Sequence, residues 1–195
     1  MTSFDPSTRD WSTTSIIVGV TGGIAAYKMA TVVSTLVQRH AVVTVAMTEA
    51  ATKFVTPATF QALSGRPVLT DIWTPVAAHD PQHVALARDA DAMLIAPATM
   101  DTVARIANGH ADDVVTLICS AIDRATTPVL VAPSMNAVMW TQPATRRNVA
   151  MLRDDGFHIV EPGTGWQACR TDGAGRLPEP SELVEAIERA LPARS

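Results

Sequence analysis

The chain reads as an α/β protein, a three-layer, doubly wound and mostly parallel sheet in a single domain. Three observations predict this. Five short apolar runs, at 15–20, 41–46, 92–96, 128–132 and 157–160, are spaced along 195 residues. The stretches between them carry apolar residues at helical spacing. Strands that alternate with helices imply βαβ units and a sheet covered on both faces.

Each element follows from its local chemistry. Residues 1–14 are polar, carry Asp5 and Asp10, and lack an apolar signal core, so they read as a flexible arm ahead of a domain at 15–195 and favour a cytoplasmic protein. The run at 15–20 is followed by helical spacing over 24–39. Further helical stretches fall at 111–124, 142–155 and 181–191. Asp112-Asp113 reads as an N-terminal cap for the second of these, and Ser181 with Glu182 and Glu185 as the start of the last. The run at 128–132 (Pro-Val-Leu-Val-Ala) is short and β-branched, the pattern of a strand buried on both faces. Residues 161–180 are rich in Gly and Pro, and a loop of about twenty residues in a compact domain is usually functional.

Composition excludes several classes. The chain is 47% apolar and 17% charged, with net charge −4 and no basic block, which argues against nucleic acid as a main partner. Its apolar stretches break within about ten residues, short of the roughly twenty a membrane span needs. Cys119 and Cys169 form neither a disulfide framework nor a metal spacing, and no metal is expected. Cys119 lies in an apolar stretch and reads as a core residue.

In an open parallel sheet the carboxyl ends of the strands share one edge, where ligands bind. Thr21-Gly22-Gly23, Met47-Thr48-Glu49, Pro97 to Thr102, Pro133 to Trp140 and Glu161-Pro162-Gly163 therefore converge in space. Gly22 and Gly23 let backbone approach an anion, and Thr48 and Thr99 add hydroxyl donors, a combination suited to phosphate. Neither Gly-x-Gly-x-x-Gly nor a P-loop is present, so one mononucleotide such as FMN fits better than NAD. The octapeptide Pro133-Ser134-Met135-Asn136-Ala137-Val138-Met139-Trp140 has two readings. Its large side chains can shape a pocket with one amide to fix a polar group, or can simply pack a helix on the sheet. Isolated His79, His83 and His110 read as surface residues when taken alone.

Taken together, the motifs resemble the homo-oligomeric flavin-containing cysteine decarboxylases, from about Ile16 to Leu191. Thr21 to Lys28 resembles that family's first flavin loop, with Gly22, Gly23 and Ile24 as cofactor residues. Ala96 to Thr102 resembles the second, with Thr99, Met100, Asp101 and Thr102, continuing into Asn108 to Asp113. Pro133 to Trp140 matches the family's Pro-x-Met-Asn-x-x-Met-Trp signature, placing Ser134 on the cofactor and Met135, Asn136 and Met139 on the substrate. His83 in His-Val-Ala-Leu matches the active-site histidine. Gln167-Ala168-Cys169 and Gly173 to Leu177 resemble the mobile segment that covers the substrate, making Cys169 a second catalytic candidate.

The resemblance implies a flavodoxin-like or Rossmann-like sheet, bound FMN, and a homotrimer or trimer-built dodecamer with the cofactor near subunit boundaries. It also implies a reaction. The cysteine thiol is oxidised to a thioaldehyde, an electron sink that releases CO2 and leaves an enethiol. His83 moves the proton, Asn136 holds the carboxylate while staying neutral, and Cys169 serves only if the enethiol is reduced again. Two branches share this chemistry: phosphopantothenoylcysteine decarboxylases of coenzyme A synthesis, and enzymes that decarboxylate the C-terminal cysteine of precursor peptides. Arg170 stands where the family has glycine after Ala-Cys, and the chain ends at Ser195 with no room for a fused synthetase, so the expectation leans to a peptide substrate. An FMN-binding regulatory subunit is the alternative of another class, and intact His83, Asn136 and Cys169 argue against it. A flavin prenyltransferase-like protein is a weaker one, opposed by the Pro-x-Met-Asn segment and Cys169.

Overall fold

The computed structural model describes residues 11–73 and 82–192. His79 and most of the N-terminal arm lie outside the described residues. A short 3-10 turn at Trp11–Thr13 leads into β1 (Ser15–Val20), and a second at Ile24–Tyr27 opens α1 (Lys28–Gln38). There follow β2 (Val42–Met47), α2 (Pro57–Ser64), α3 (Gln82–Asp89), β3 (Ala92–Ala98), α4 (Met100–Ala107), α5 (Val114–Ala121) and β4 (Val129–Pro133). The chain continues through α6 (Ala137–Thr141), α7 (Pro143–Asp154), β5 (His158–Ile159), β6 (Gly163–Trp166), β7 (Asp172–Arg176) and α8 (Pro180–Ala190).

Strands β1 to β5 form one sheet in the order β2-β1-β3-β4-β5, with every pairing parallel. This is the flavodoxin-like order, whose direction of winding reverses between β1 and β3 and leaves a crevice there. Two hydrophobic layers cover the sheet, and the period-two alternation of each strand feeds both. Ile16, Val18 and Val20 of β1 join Met29, Val32, Val33 and Leu36 of α1 and Leu183 and Ile187 of α8 on one face. Ile17 of β1 and Met93 and Ile95 of β3 join Val115 and Ile118 of α5 and Leu152 of α7 on the other. The α1 residues recur at intervals of three and four, the stripe that seats a helix on a sheet.

The structure corrects the sequence reading in four places. The helical stretch 24–39 is split, because its first turn is 3-10 and begins directly after Gly23. Helices α2, α3, α4 and α6, each of eight residues or fewer, fill spans outside the helical stretches read from sequence; α4 is nevertheless amphipathic and buries Val103 and Ala107 on one face. The last helix is capped by Glu179, whose carboxylate and that of Glu182 form a reciprocal capping box, rather than by Ser181. The Gly/Pro-rich stretch 161–180 is no structureless loop, since β6 and β7 pair in it as an antiparallel hairpin. Its strands are hidden by glycine, which leaves no side-chain alternation to read. Asp113 does cap α5, accepting from the N–H groups of Val115 and Thr116 with Thr116 completing a capping box. Among the described residues no helix is long and apolar enough to cross a membrane.

Candidate functional site

Along the carboxyl edge of the sheet lies a cavity of about 1120 Å³, at the upper end for a small-molecule site. Five chain segments build it. Gly22, Gly23 and Ile24 come from the end of β1, and Thr48 from the end of β2. Thr99, Met100, Asp101 and Thr102 follow β3, and Ser134, Met135, Asn136 and Met139 follow β4. Cys169 comes from the β6–β7 hairpin. Every candidate named from sequence lines this one space except His83. His83 sits half-buried in the first turn of α3, a helix that packs on α5, and does not line the cavity of its own chain.

The two loops flanking the crevice are locked together by Thr21, which is wholly buried. Its hydroxyl donates to the Pro97 carbonyl at 2.5 Å and accepts from the Thr99 N–H at 3.2 Å. Pro97 interrupts a central strand where the β3–β4 register shifts, the kind of irregularity that tolerates proline. Thr99 caps α4 by accepting from the Thr102 N–H at 3.2 Å, with the two hydroxyls 3.0 Å apart. Thr48 accepts from the Ala51 N–H at 3.2 Å, which leaves its own proton to donate. The Ser134 hydroxyl lines the cavity without a protein partner among the described residues. Arg105 bridges the carboxylates of Asp101 (2.7 Å) and Asp112 (2.6 and 2.8 Å). Hydrogen bonding from this guanidinium holds the Asp112 carboxyl below its ordinary range, and the two carboxylates push the Arg105 pKa upward.

The Met-rich octapeptide does both things its sequence allows. Trp140 turns into the core beneath a cation–π contact from Arg146 at 4.8 Å, whereas Met135 and Met139 wall the cavity. Asn136 is the N-cap of α6, its Oδ1 accepting from the Met139 N–H at 2.8 Å. That bond fixes the amide's orientation: turned over, it would set N–H against N–H. The Nδ2 amino group, with no acceptor among the described residues, is left to donate to a ligand.

The hairpin closes over this loop. The Met135 N–H donates to the Gly175 carbonyl at 3.0 Å. Gly175 has φ +113°, and a Cβ there would collide with the Met135 carbonyl; one on Gly173 would fall 2.6 Å from the Ala137 Cβ. The two glycines are thus the condition for close docking. Cys169, exposed at the hairpin turn, has its Sγ 3.0 Å from the Thr171 hydroxyl. Burial pushes the Cys119 thiol up to about 12, which keeps it inert. Arg170 adopts φ +64°, the left-handed conformation that favours glycine. Residues not singled out from sequence also line the cavity. Tyr27, Lys28 and Arg176 had a signal in the quoted motifs, whereas Trp166 had none.

Glycines at a strand end, several free or half-free hydroxyls, an apolar methionine wall and room for one mononucleotide fit FMN.

Residues 5–191 match the Flavoprotein family. Over 176 residues the chain is 49% identical to the coenzyme A biosynthesis bifunctional protein CoaBC of Mycobacterium tuberculosis, covering 90% of this chain and 41% of that protein. It is 44% identical to the CoaBC of Vibrio parahaemolyticus over 174 residues, covering 89% and 43%. The chain therefore spans about two fifths of the length of these relatives. Among solved structures, a Cys→Ser variant of a PPC decarboxylase complexed with pantothenoylaminoethenethiol superposes with a TM-score of 0.80 at 26% identity, over 90% of this chain and 97% of that one. The FMN-dependent cysteine decarboxylase SpaF gives 0.74 at 32% identity, over 90% and 98%. A match along nearly the whole chain, on the sheet order and edge cavity described above, makes this protein a member of the Flavoprotein family, with FMN-dependent cysteine decarboxylases among its structural neighbours.

Proposed function

We propose that this chain is an FMN-dependent decarboxylase acting on a cysteine-terminated substrate, and that the substrate is phosphopantothenoylcysteine. The observation that carries the reading is the Asn136 amide. Its orientation is fixed by its own helix cap, its donor is unspent, and it shares one cavity with the strand-end loops and with Cys169.

Gly22, Gly23, Ile24, Thr48, Thr99 to Thr102 and Ser134 would hold FMN. When bound, FMN supplies the two-electron oxidation of the substrate thiol that turns the neighbouring carbon into an electron sink. The protein's own part is placement. Asn136 donates to the substrate carboxylate without a formal charge, so it holds the group yet does not oppose its departure as neutral CO2. A lysine there would stabilise the carboxylate itself and raise the barrier. Met135 and Met139 supply an apolar wall beside it. Cys169, next to the Thr171 hydroxyl, is placed to protonate the product if the two electrons taken from the thiol, which bound FMN would hold, are returned to the enethiol. His83, absent from the lining of its own chain's cavity, would serve as acid/base in the cavity of a neighbouring protomer, which requires a homo-oligomer such as the trimer.

The coenzyme A substrate is favoured over a peptide by the identity to CoaBC proteins, against the lean drawn from sequence. Arg170 keeps the peptide reading in play, since a cation in a conformation suited to glycine alters the turn over the substrate. Mass spectrometry of the FMN-loaded protein tests both. Phosphopantothenoylcysteine lighter by CO2 alone supports decarboxylation followed by reduction. A peptide lighter by CO2 and two hydrogens, with phosphopantothenoylcysteine untouched, overturns the substrate assignment. No CO2 from either overturns the enzyme.

A further inference from the structure

We infer that Gln167 is a positioning residue, the joint that sets the carboxylate-binding amide and the Cys169 hairpin in register. The inference rests on the reading above for what the positioned groups do.

Gln167 is polar yet only 8% exposed. Its side-chain amide is spent on both sides of the docked hairpin. Oε1 accepts from the Ala137 N–H at 3.1 Å, the first helical residue after Asn136. Nε2 donates to the Ala174 carbonyl at 2.9 Å, with the carbonyls of Met135 and Gly173 at 3.4 and 3.5 Å. The Cys169 thiol donates to the same Oε1 at 3.6 Å. Its backbone closes the hairpin turn, the N–H donating to the Thr171 carbonyl and the carbonyl accepting from the Arg170 N–H, both at 2.9 Å. A helix start leaves N–H groups that need a partner from outside, and the Ala137 N–H finds it here in another segment. One buried amide therefore fixes the segment bearing Asn136, β7 and the thiol against one another. Serine or threonine would be too short to span these partners, and glutamate would face several carbonyls without a donor.

Two variants test this. Gln167→Met keeps the volume and removes the amide. Ala137→Pro breaks the same bond from the other side, its ring Cδ replacing the hydrogen that points at Gln167 Oε1, so that the amide must move away; proline is otherwise tolerated at the first helical position, and Asn136 at ψ 162° already has the backbone that precedes a proline. The expected result for Gln167→Met is a fall in kcat/KM of at least about thirtyfold, carried largely by KM, with FMN affinity within about twofold of wild type. Its Cys169 should also alkylate with iodoacetamide several times faster, since the thiol loses an acceptor and the turn loosens. Ala137→Pro should give part of the same loss, and the double variant less than the product of the two. If Gln167 only stabilises the fold, FMN affinity and kcat/KM fall together, Cys169 alkylates at the wild-type rate below the melting transition, and the two substitutions multiply. Any of these results overturns the inference. Absence of turnover in the wild type would instead remove the proposed function, and the alkylation and FMN measurements would still decide the role of Gln167.

Discussion

Asn136→Asp separates recognition from stability at a single atom. Aspartate caps helices as well as asparagine does, so the bond to the Met139 N–H (2.8 Å) survives and α6 should form. What changes is the other end, where an N–H2 donor becomes a second carboxylate oxygen facing the substrate carboxylate. Two like charges about 4 Å apart repel by about 1 kcal/mol at the dielectric of water and about 4 kcal/mol at the effective value of a partly enclosed site. Losing a hydrogen bond to a charged group adds about 1.5–3 kcal/mol. The lower figures alone total about 2.5 kcal/mol, so kcat/KM should fall by about seventyfold or more. Asn136→Ala is the contrasting control: it removes the cap and should destabilise the protein by about 1 kcal/mol. The assay pairs substrate-dependent CO2 release with FMN titration and thermal unfolding. Asn136→Asp should keep FMN affinity and melting temperature while losing turnover, and Asn136→Ala should lose both stability and turnover. An Asn136→Asp enzyme within threefold of wild-type kcat/KM would refute the assignment of this amide to a carboxylate.

Three further outcomes are expected. Arg170→Gly should stabilise the protein, because a left-handed residue with a Cβ costs about 1–2 kcal/mol and glycine returns about 0.5–1 in lost chain entropy. The net gain of about 0–1.5 kcal/mol should raise the melting temperature by up to about 6 °C, and a fall would contradict the positive φ at this position. His83→Asn and Asn136→Asp, each inactive alone, should recover measurable CO2 release when their subunits are mixed and exchanged. Silence from verified mixed oligomers would count against His83 acting across a subunit boundary. Glu179 bridges Lys28 (3.1 Å) and Arg176 (2.5 Å), and hydrogen bonding from Lys28 leads in depressing its pKa below the ordinary 4.5. A depressed folded-state pKa gives stability that is complete above the unfolded value and is lost as pH falls through the folded one. Urea midpoints across that acid limb should therefore fall less steeply for Glu179→Gln, and parallel curves would show that the bridge is too exposed to matter.

The fold was legible in the sequence because buried parallel strands must be apolar throughout. The run at 15–20 coincides with β1 (Ser15–Val20), and the runs at 41–46 and 128–132 lie within one residue of β2 and β4. The strand-end loops followed from topology alone, since a parallel sheet brings carboxyl ends together whatever separates them in sequence. Asn136, Thr48, Thr99 and the paired glycines could thus be named as neighbours without coordinates, whereas Cys169 joined them only through the family resemblance. Three matters lay beyond the sequence. The hairpin β6–β7 was hidden because four of its nine strand residues are glycine, and two of these, Gly173 and Gly175, are needed for close approach to Ala137 and Met135, a demand made by another segment rather than by the strands themselves. Trp140 and Met139, one residue apart, go to core and cavity respectively, and only the direction of α6 decides which. His83 matches the family's active-site histidine in sequence, yet it stands on a helix that does not bring it to the cavity of its own chain. Local pattern records what a segment must bury. Which partner it buries against, and across which boundary a side chain reaches, are set by contacts between residues far apart in the chain.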